Sequence, residues 1–159
     1  DSMNVCTAWI PLQRIPQEMG PLTFAAAMDT YKLVKNLSFN KFDASYDKEL
    51  GNIFSANEVP IDDSAFDLGE VSFHHTLSFH TAGANMTNES RMALATTYFE
   101  DGARLVSNPT MISGDFHKFM PGIKPGDLIN SDYNPVCYDS VRQTAKEFDM
   151  GVDNSPTHN

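Results

Sequence analysis

The sequence predicts a mainly β domain with minor helices, and three observations support that prediction. Apolar and polar side chains alternate with a period of two through the best-patterned segments. Proline and glycine mark the turns between those segments. At 159 residues, of which 41% are hydrophobic, the chain can bury one modest core. Residues 1–159 are therefore expected to form a single domain.

The first strand is expected in VCTAWIPL, residues 5–12, which is apolar and rich in β-prone side chains. A turn containing Gly20 and Pro21 follows, and an extended run resumes at residues 22–24. The pattern degrades over residues 30–67, which are predicted to leave the sheet core. Within this excursion, SYDKELGNIFSAN can form a short helix, and VPIDDSAFDLG is predicted to be a loop.

A second alternating segment covers residues 71–80, with mainly apolar odd positions and polar even positions. This alternation places His80 on the polar face. The stretch TAGANMTNES is rich in turn residues and predicts a hairpin-like reversal into a strand over residues 91–99. His80 and Arg91 are then expected to be cross-strand neighbours. Further on, YDSVRQTAKEF predicts a closing amphipathic helix, and residues 150–159 a frayed tail.

Composition excludes several classes of function. With 21 acidic and 11 basic residues the formal net charge is −10, which repels phosphate backbones, so no nucleic-acid partner is expected. No run of eighteen apolar residues could span a bilayer, and the first twenty residues lack the order of a signal peptide. A cytoplasmic location is expected. Cys6 and Cys137 are far apart in the sequence and are expected to be buried or idle thiols.

His80 and Arg91 are the main candidates for functional residues in the chain. A neutral imidazole can bind a metal and a guanidinium can clamp a carboxylate, which is half of what an iron and 2-oxoglutarate oxygenase needs. Taken singly, each has a simpler interpretation, as a polar core histidine and a surface arginine. His74 and His75 have no comparable support. Asp115 and His117 are expected to be surface residues rather than metal ligands.

Three blocks of sequence resemble the C-terminal part of the phytanoyl-CoA dioxygenase family. They are TAWIPLQRIPQEMGPLTFA, then GEVSFHHTLSFHTAGANMTNESRMALATTYFEDGARL, and later PGIKPGDLINSDYNPVCY. The blocks cover about half the chain directly and span nearly all of it. The resemblance implies a double-stranded β-helix, the cupin-like jelly roll, incomplete at its N-terminus.

The resemblance also implies the roles of individual residues. His80 would be the distal iron ligand and Arg91 would bind the far carboxylate of 2-oxoglutarate. Trp9 falls where the family lines the cosubstrate pocket with tryptophan. Ala82 stands where many members have a small hydroxyl residue, so Thr81 or a water is expected to supply that hydrogen bond. Fe(II) and 2-oxoglutarate are the implied cofactor and cosubstrate, and no further catalytic residue is implied.

One part of the family pattern is missing from the chain. The family places a His-x-Asp motif about sixteen residues before the tryptophan matched by Trp9, so two of three iron ligands are expected to lie before Asp1. The chain is thus expected to supply only the later strands, and its activity alone is left open. Its exposed strand edges predict a homo-oligomer or a complementing N-terminal segment as partner.

The function expected from the resemblance is oxygenation, specifically hydroxylation, of a small or lipid-like organic substrate. Two alternatives belong to other classes. One is a catalytically inactive jelly-roll binding module that keeps a carboxylate pocket around Arg91. The other is a cupin-type metal protein with different chemistry, which has no need of Arg91.

Overall fold

The computed structural model describes residues 1–26, 29–38, 40, 42, 44–110, 113 and 115–139. The strands in this part of the chain are β1 (Val5–Pro11), β2 (Leu22–Ala25), β3 (Ile61–Asp62), β4 (Ser72–His75), β5 (His80–Ala82) and β6 (Ala93–Phe99). The helices are α1 (Thr30–Val34), α2 (Ser45–Ala56) and α3 (Phe116–Phe119), and residues Gln17–Met19 form a single 3-10 turn. None of these helices has the length and apolar character that crossing a bilayer requires. The prediction of a mainly β chain with minor helices is confirmed.

The strands form two antiparallel three-stranded sheets. The first sheet has the order β4-β1-β6, and the second has the order β3-β2-β5. β1 pairs along its whole length with β6, from Val5↔Phe99 to Pro11↔Ala93. Its central position suits a segment rich in β-branched and aromatic side chains, which pack well on a pleated surface. The strands predicted at residues 5–12 and 22–24 are both present, as β1 and β2.

The turn between β1 and β2 is the best-packed part of the molecule. Ile15 is fully buried and its backbone pairs with that of Phe66. Gly20 adopts a φ of 68°, and a side chain on it would collide with the backbone at Gly83 and Ala84. Only glycine combines this backbone conformation with such close approach. The turn therefore fixes the start of β2 against the chain that leaves β5.

The structure corrects the prediction of one continuous strand over residues 71–80. β4 ends at His75 in the first sheet, and β5 begins at His80 in the second. A tight turn separates them, in which the Ser78 N–H donates to the His75 carbonyl oxygen at 2.9 Å. Alternation of polar and apolar side chains continues through this turn, which is why the sequence pattern did not show the break.

Residues 30–67 are partly as predicted. The short helix in this segment is confirmed as α2, whose buried Phe54 packs edge-on against Phe79 at a ring separation of 5.5 Å. The loop prediction was wrong at residues 61–62, because they form β3 and pair with β2. Most of the predicted closing helix, and the whole of the predicted tail at residues 150–159, lie outside the described residues.

The two faces of the first sheet differ in their surroundings. Directly paired residues share a face, so Thr7, His74 and Thr97 lie together. The ring of His74 contacts that of Phe24 on β2 at 5.2 Å, which identifies this face as the one turned towards the second sheet. The opposite, outer face leaves Phe73, Leu94 and Tyr98 exposed by 69%, 50% and 47%. We call these three residues the outer apolar patch.

Candidate functional site

His80 faces the space between the two sheets. It lies directly opposite Phe24 across the β2–β5 pairing, and the Phe24 ring contacts both His80 and His74. The Nδ1 atom of His80 is 3.0 Å from the Ser78 carbonyl oxygen. Because a carbonyl oxygen only accepts hydrogen bonds, this contact assigns the proton to Nδ1. Nε2 of the neutral ring then keeps the lone pair that a metal needs.

His74, to which the sequence reasoning gave no role, lies beside His80. Its ring centroid is 4.7 Å from that of His80, although the two residues belong to different sheets. His74 is buried, and its Nδ1 is 3.4 Å from the Ser72 hydroxyl. Burial lowers the pKa of His74 from its ordinary value, and the neighbouring His80 lowers it further. The shared even-numbered alternation of His74 and His80 was the signal that could have linked them.

Arg91 lies just before β6 and reaches the opposite sheet. Its Nη1 donates to the carbonyl oxygens of Met19 at 3.1 Å and Gly83 at 3.2 Å, and also to that of Gly20. It lies two residues before Ala93, the first residue of β6, which pairs with Pro11 of β1. Among the described residues it has no carboxylate partner. Its positive charge is therefore not neutralised by an ion pair in that part of the chain.

The structure does not place His80 and Arg91 in the way that the sequence predicted. The expectation of cross-strand neighbours was wrong, since β5 and β6 belong to different sheets. The turn-rich connection instead crosses from the second sheet to the first. Arg91 binds the carbonyl of Gly83, three residues beyond His80, so it contacts the chain that leaves β5.

The other three predicted site residues, Trp9, Thr81 and Ala82, do not all lie on the same face of their strands as His80. Trp9 is half-buried on β1 and packs edge-on against Phe66 at 4.9 Å. Ala82 shares the face of His80, whereas Thr81 pairs with Thr23 on the opposite face of β5. This placement favours water over the Thr81 hydroxyl as the donor that replaces the missing side chain at Ala82.

An open cleft of about 1100 Å³ lies beside these residues. It is lined by His74, Phe24 and Phe66, which directly contact the predicted site residues, and by the acidic side chains of Asp62 and Glu70. None of the five residues predicted for the site lines the cleft itself. The cleft thus borders the predicted residues only through Phe24, Phe66 and His74.

The donor set in the described residues is too small for a complete facial triad. No group of three histidine, cysteine, aspartate or glutamate side chains there could hold a metal ion. Asp115 forms an ion pair with Lys118 at 2.7 Å, and His117 stacks on Phe116, as surface residues do. Cys6 and Cys137 are free thiols. His80 therefore fits the role of one imidazole ligand but not that of a whole iron centre.

The chain shares its fold with solved non-haem iron enzymes. No protein-family model matches it, and no curated protein does either. The carbocyclase SnoK, described as alpha-ketoglutarate dependent and from nogalamycin biosynthesis, matches at 22% identity with a TM-score of 0.55, over 81% of this chain and 48% of that one. The epimerase SnoN, solved with Fe3+, alpha-ketoglutarate and nogalamycin RO, matches at 24% identity with a TM-score of 0.56, over 83% and 50%. The chain spans about half the length of these proteins.

Proposed function

We propose that this chain is the later-strand part of a double-stranded β-helix oxygenase of the iron(II) and 2-oxoglutarate class. The observation that carries the proposal is that Arg91, which precedes β6 of the first sheet, bonds to the Gly83 carbonyl three residues beyond His80 on β5 of the second sheet. The two antiparallel sheets, in which strands distant in sequence are neighbours, support an assignment to the jelly-roll class. The shared fold with SnoK and SnoN supports the same assignment.

In this proposal His80 supplies one imidazole to iron through Nε2. The contact from Nδ1 to Ser78 holds the ring in the tautomer that leaves Nε2 free. The His-x-Asp pair that completes a facial triad would come from outside the described residues. When iron and 2-oxoglutarate are bound, they supply the oxidising chemistry on dioxygen.

Arg91 would anchor the far carboxylate of 2-oxoglutarate. One of its terminal nitrogens is held by the Met19, Gly20 and Gly83 carbonyls. These contacts fix the guanidinium at the end of β5, where the remaining N–H groups can take a carboxylate as a bidentate ligand. Trp9 would form the neighbouring wall of the cosubstrate pocket.

The cleft indicates the kind of substrate. Its wall combines Phe24, Phe66 and Leu77 with the carboxylates of Asp62 and Glu70, and no lysine or arginine of the described part of the chain lines it. Such a wall favours a neutral or cationic organic molecule with apolar surface, in keeping with a small or lipid-like substrate. An acyl-coenzyme A is disfavoured because its phosphates would meet carboxylates.

The strand edges indicate the kind of partner. Within the described part of the chain, β5 and β6 each pair on one side only. Unpaired edges recruit further strands. A complementing segment or a second copy of this chain would therefore extend both sheets, and a complementing segment could bring the missing ligands beside His80.

The experiment is an anaerobic calorimetric titration of 2-oxoglutarate into the Ni2+-loaded protein, since Ni2+ replaces iron without oxygen chemistry. One-to-one binding that requires the metal is expected. Arg91→Ala should weaken it at least tenfold, because a charge-assisted bidentate contact is lost. The matched control is Arg104→Ala, since the exposed Arg104 also donates to a backbone carbonyl, that of Gly126 at 3.1 Å. Equal affinity in the two variants, or no binding to the wild type, would overturn the proposal.

A second candidate function is an inactive binding module of the same fold. The observation in its favour is that Arg91 already donates to three backbone carbonyl oxygens. These hydrogen bonds can be explained as purely structural, because they connect the 3-10 turn that ends at Met19 with the end of β5. In that case 2-oxoglutarate would bind equally well with and without metal, and Arg91→Ala would lower the melting temperature as well as that affinity. The same titration, repeated after chelation, separates the two functions.

A further inference from the structure

The two histidines between the sheets have both ring Nε2 atoms available. His80 directs its Nδ1 proton at the Ser78 carbonyl, and the Nδ1 of His74 is directed at the Ser72 hydroxyl. In the part of the chain that the structure describes, neither Nε2 has a hydrogen-bond partner. Because each Nδ1 contact orients its ring, both rings can present an unprotonated Nε2.

The separation of the rings matches two imidazoles on one metal ion. A metal–nitrogen distance of about 2.0–2.1 Å places the ion roughly 3.2 Å from each ring centre. Two cis ligands at angles of about 90–110° then have centroids roughly 4.5–5.2 Å apart. The observed centroid distance is 4.7 Å, with the ring planes inclined by 50°.

The surroundings of the pair also suit a bound cation. His74 and Phe24 are part of the wall of the open cleft, which gives an ion a path from solvent. The cleft also carries the carboxylates of Asp62 and Glu70, which raise the local concentration of cations. Imidazole is a ligand for Zn2+, Ni2+, Co2+, Cu2+ and Fe2+ rather than for Mg2+ or Ca2+.

We propose that His74 and His80 together form a two-imidazole site for a divalent transition-metal cation. His74 thus supplies a second ligand from the first sheet to the ion that His80 binds from the second. The inference builds on the proposed function, since it concerns the same ion, and it adds a ligand that the family resemblance does not contain. It also explains how this chain can hold a metal without the His-x-Asp pair.

The test is calorimetric titration of Co2+ into the full chain without 2-oxoglutarate. One-to-one binding is expected, and His74→Gln and His80→Gln should each weaken it at least tenfold. The loss in the double variant should be smaller than the product of the two single losses, because both rings hold one ion. His75→Gln is the control, since the exposed His75 lies on the opposite face of β4, and it should leave affinity unchanged.

The outcomes separate this inference from the proposed function. If His80→Gln weakens Co2+ binding and His74→Gln does not, His74 is no ligand and only this inference fails. If neither variant weakens binding, the metal assignment of His80 fails as well. Variants are first compared with the wild type by their amide NMR spectra. If His74→Gln is unfolded, an NMR titration of the wild type with Zn2+ replaces that variant. The Nε2 resonances of His74 and His80 must then shift together, and a shift of the His80 resonance alone overturns the inference.

Discussion

Backbone carbonyls, rather than charged partners, hold the polar side chains of the candidate site. The Nδ1 of His80 donates to Ser78, and the Nη1 of Arg91 donates to Met19 and Gly83. A carbonyl fixes the orientation of a ring or a guanidinium without neutralising its charge or occupying its free nitrogens. Both side chains are thus oriented while their ligand-binding atoms stay available.

His74 offers a pH-dependent test in metal-free protein. Its pKa should lie below the ordinary histidine value, because burial and, secondarily, His80 disfavour its charged form. The unfolded chain then binds a proton that the folded chain excludes, so stability should fall as the pH drops below about 6.5. NMR titration of the ring checks the pKa. In the His80→Gln variant the pKa of His74 should rise but stay below the ordinary histidine value, because His74 is still buried. An unchanged pKa would show that His80 does not contribute to the shift.

Gly20 should be intolerant of substitution. Its positive φ and its contact with the backbone of Gly83 and Ala84 leave no room for a side chain. Gly20→Ala is expected to destabilise the fold by about 2 kcal/mol or more, from backbone strain and overpacking together. Gly51 lies in α2 with open space around it, so Gly51→Ala should instead stabilise by about 0.5–1 kcal/mol. Urea unfolding of both variants gives the comparison, and a loss of similar size in each would contradict it.

Among the elements, α2 contacts the segment between β4 and β5 through an aromatic pair. Phe54 is 7% exposed and packs against Phe79 in the turn that precedes β5. Phe54→Ala should cost about 3 kcal/mol, because the cavity cannot close fully under a single helix. Phe119 on α3 is 66% exposed, and Phe119→Ala should change stability by less than about 0.5 kcal/mol. Denaturant midpoints measure both, and equal losses would show that α2 is not anchored this way.

The periodicity of apolar residues along the sequence predicted β1 and α2 correctly. β1 is a central strand and α2 carries one buried ring, so hydrophobic periodicity was enough to find them. It was not enough for the break between β4 and β5, because the alternation of residues 71–80 runs on through the turn. It also missed β3, whose two exposed residues are held only by pairing with β2. Tertiary pairing decides such short strands, and sequence periodicity does not report it.

At the scale of the whole molecule, the candidate site depends on how two sheets face each other. Sequence and family resemblance proposed His80 and Arg91, and in the structure Arg91 bonds to the chain just beyond the strand that carries His80. Sequence spacing suggested a hairpin, since it cannot distinguish a reversal within one sheet from a crossing to another. For the same reason His74 was left without a role, because its partner across the gap belongs to the other sheet.

Self-association of the whole chain is the last prediction. The outer apolar patch leaves Phe73, Leu94 and Tyr98 largely exposed on the first sheet, and β6 carries an unpaired edge in the described region. Apolar side chains beside an open strand edge favour pairing with a second copy of the chain. Analytical ultracentrifugation should therefore show a concentration-dependent rise in mass.

Tyr98→Lys should shift that association to higher concentration by tenfold or more, because a charge on β6 opposes edge-to-edge pairing. The control is Leu68→Lys, which makes the same change of charge at a side chain that is 71% exposed in the turn before β4. Leu68 lies outside both sheets, so association should match that of the wild type. If the two lysine variants dissociate equally, net charge rather than the strand edge governs assembly, and the β6 edge is not the contact between copies.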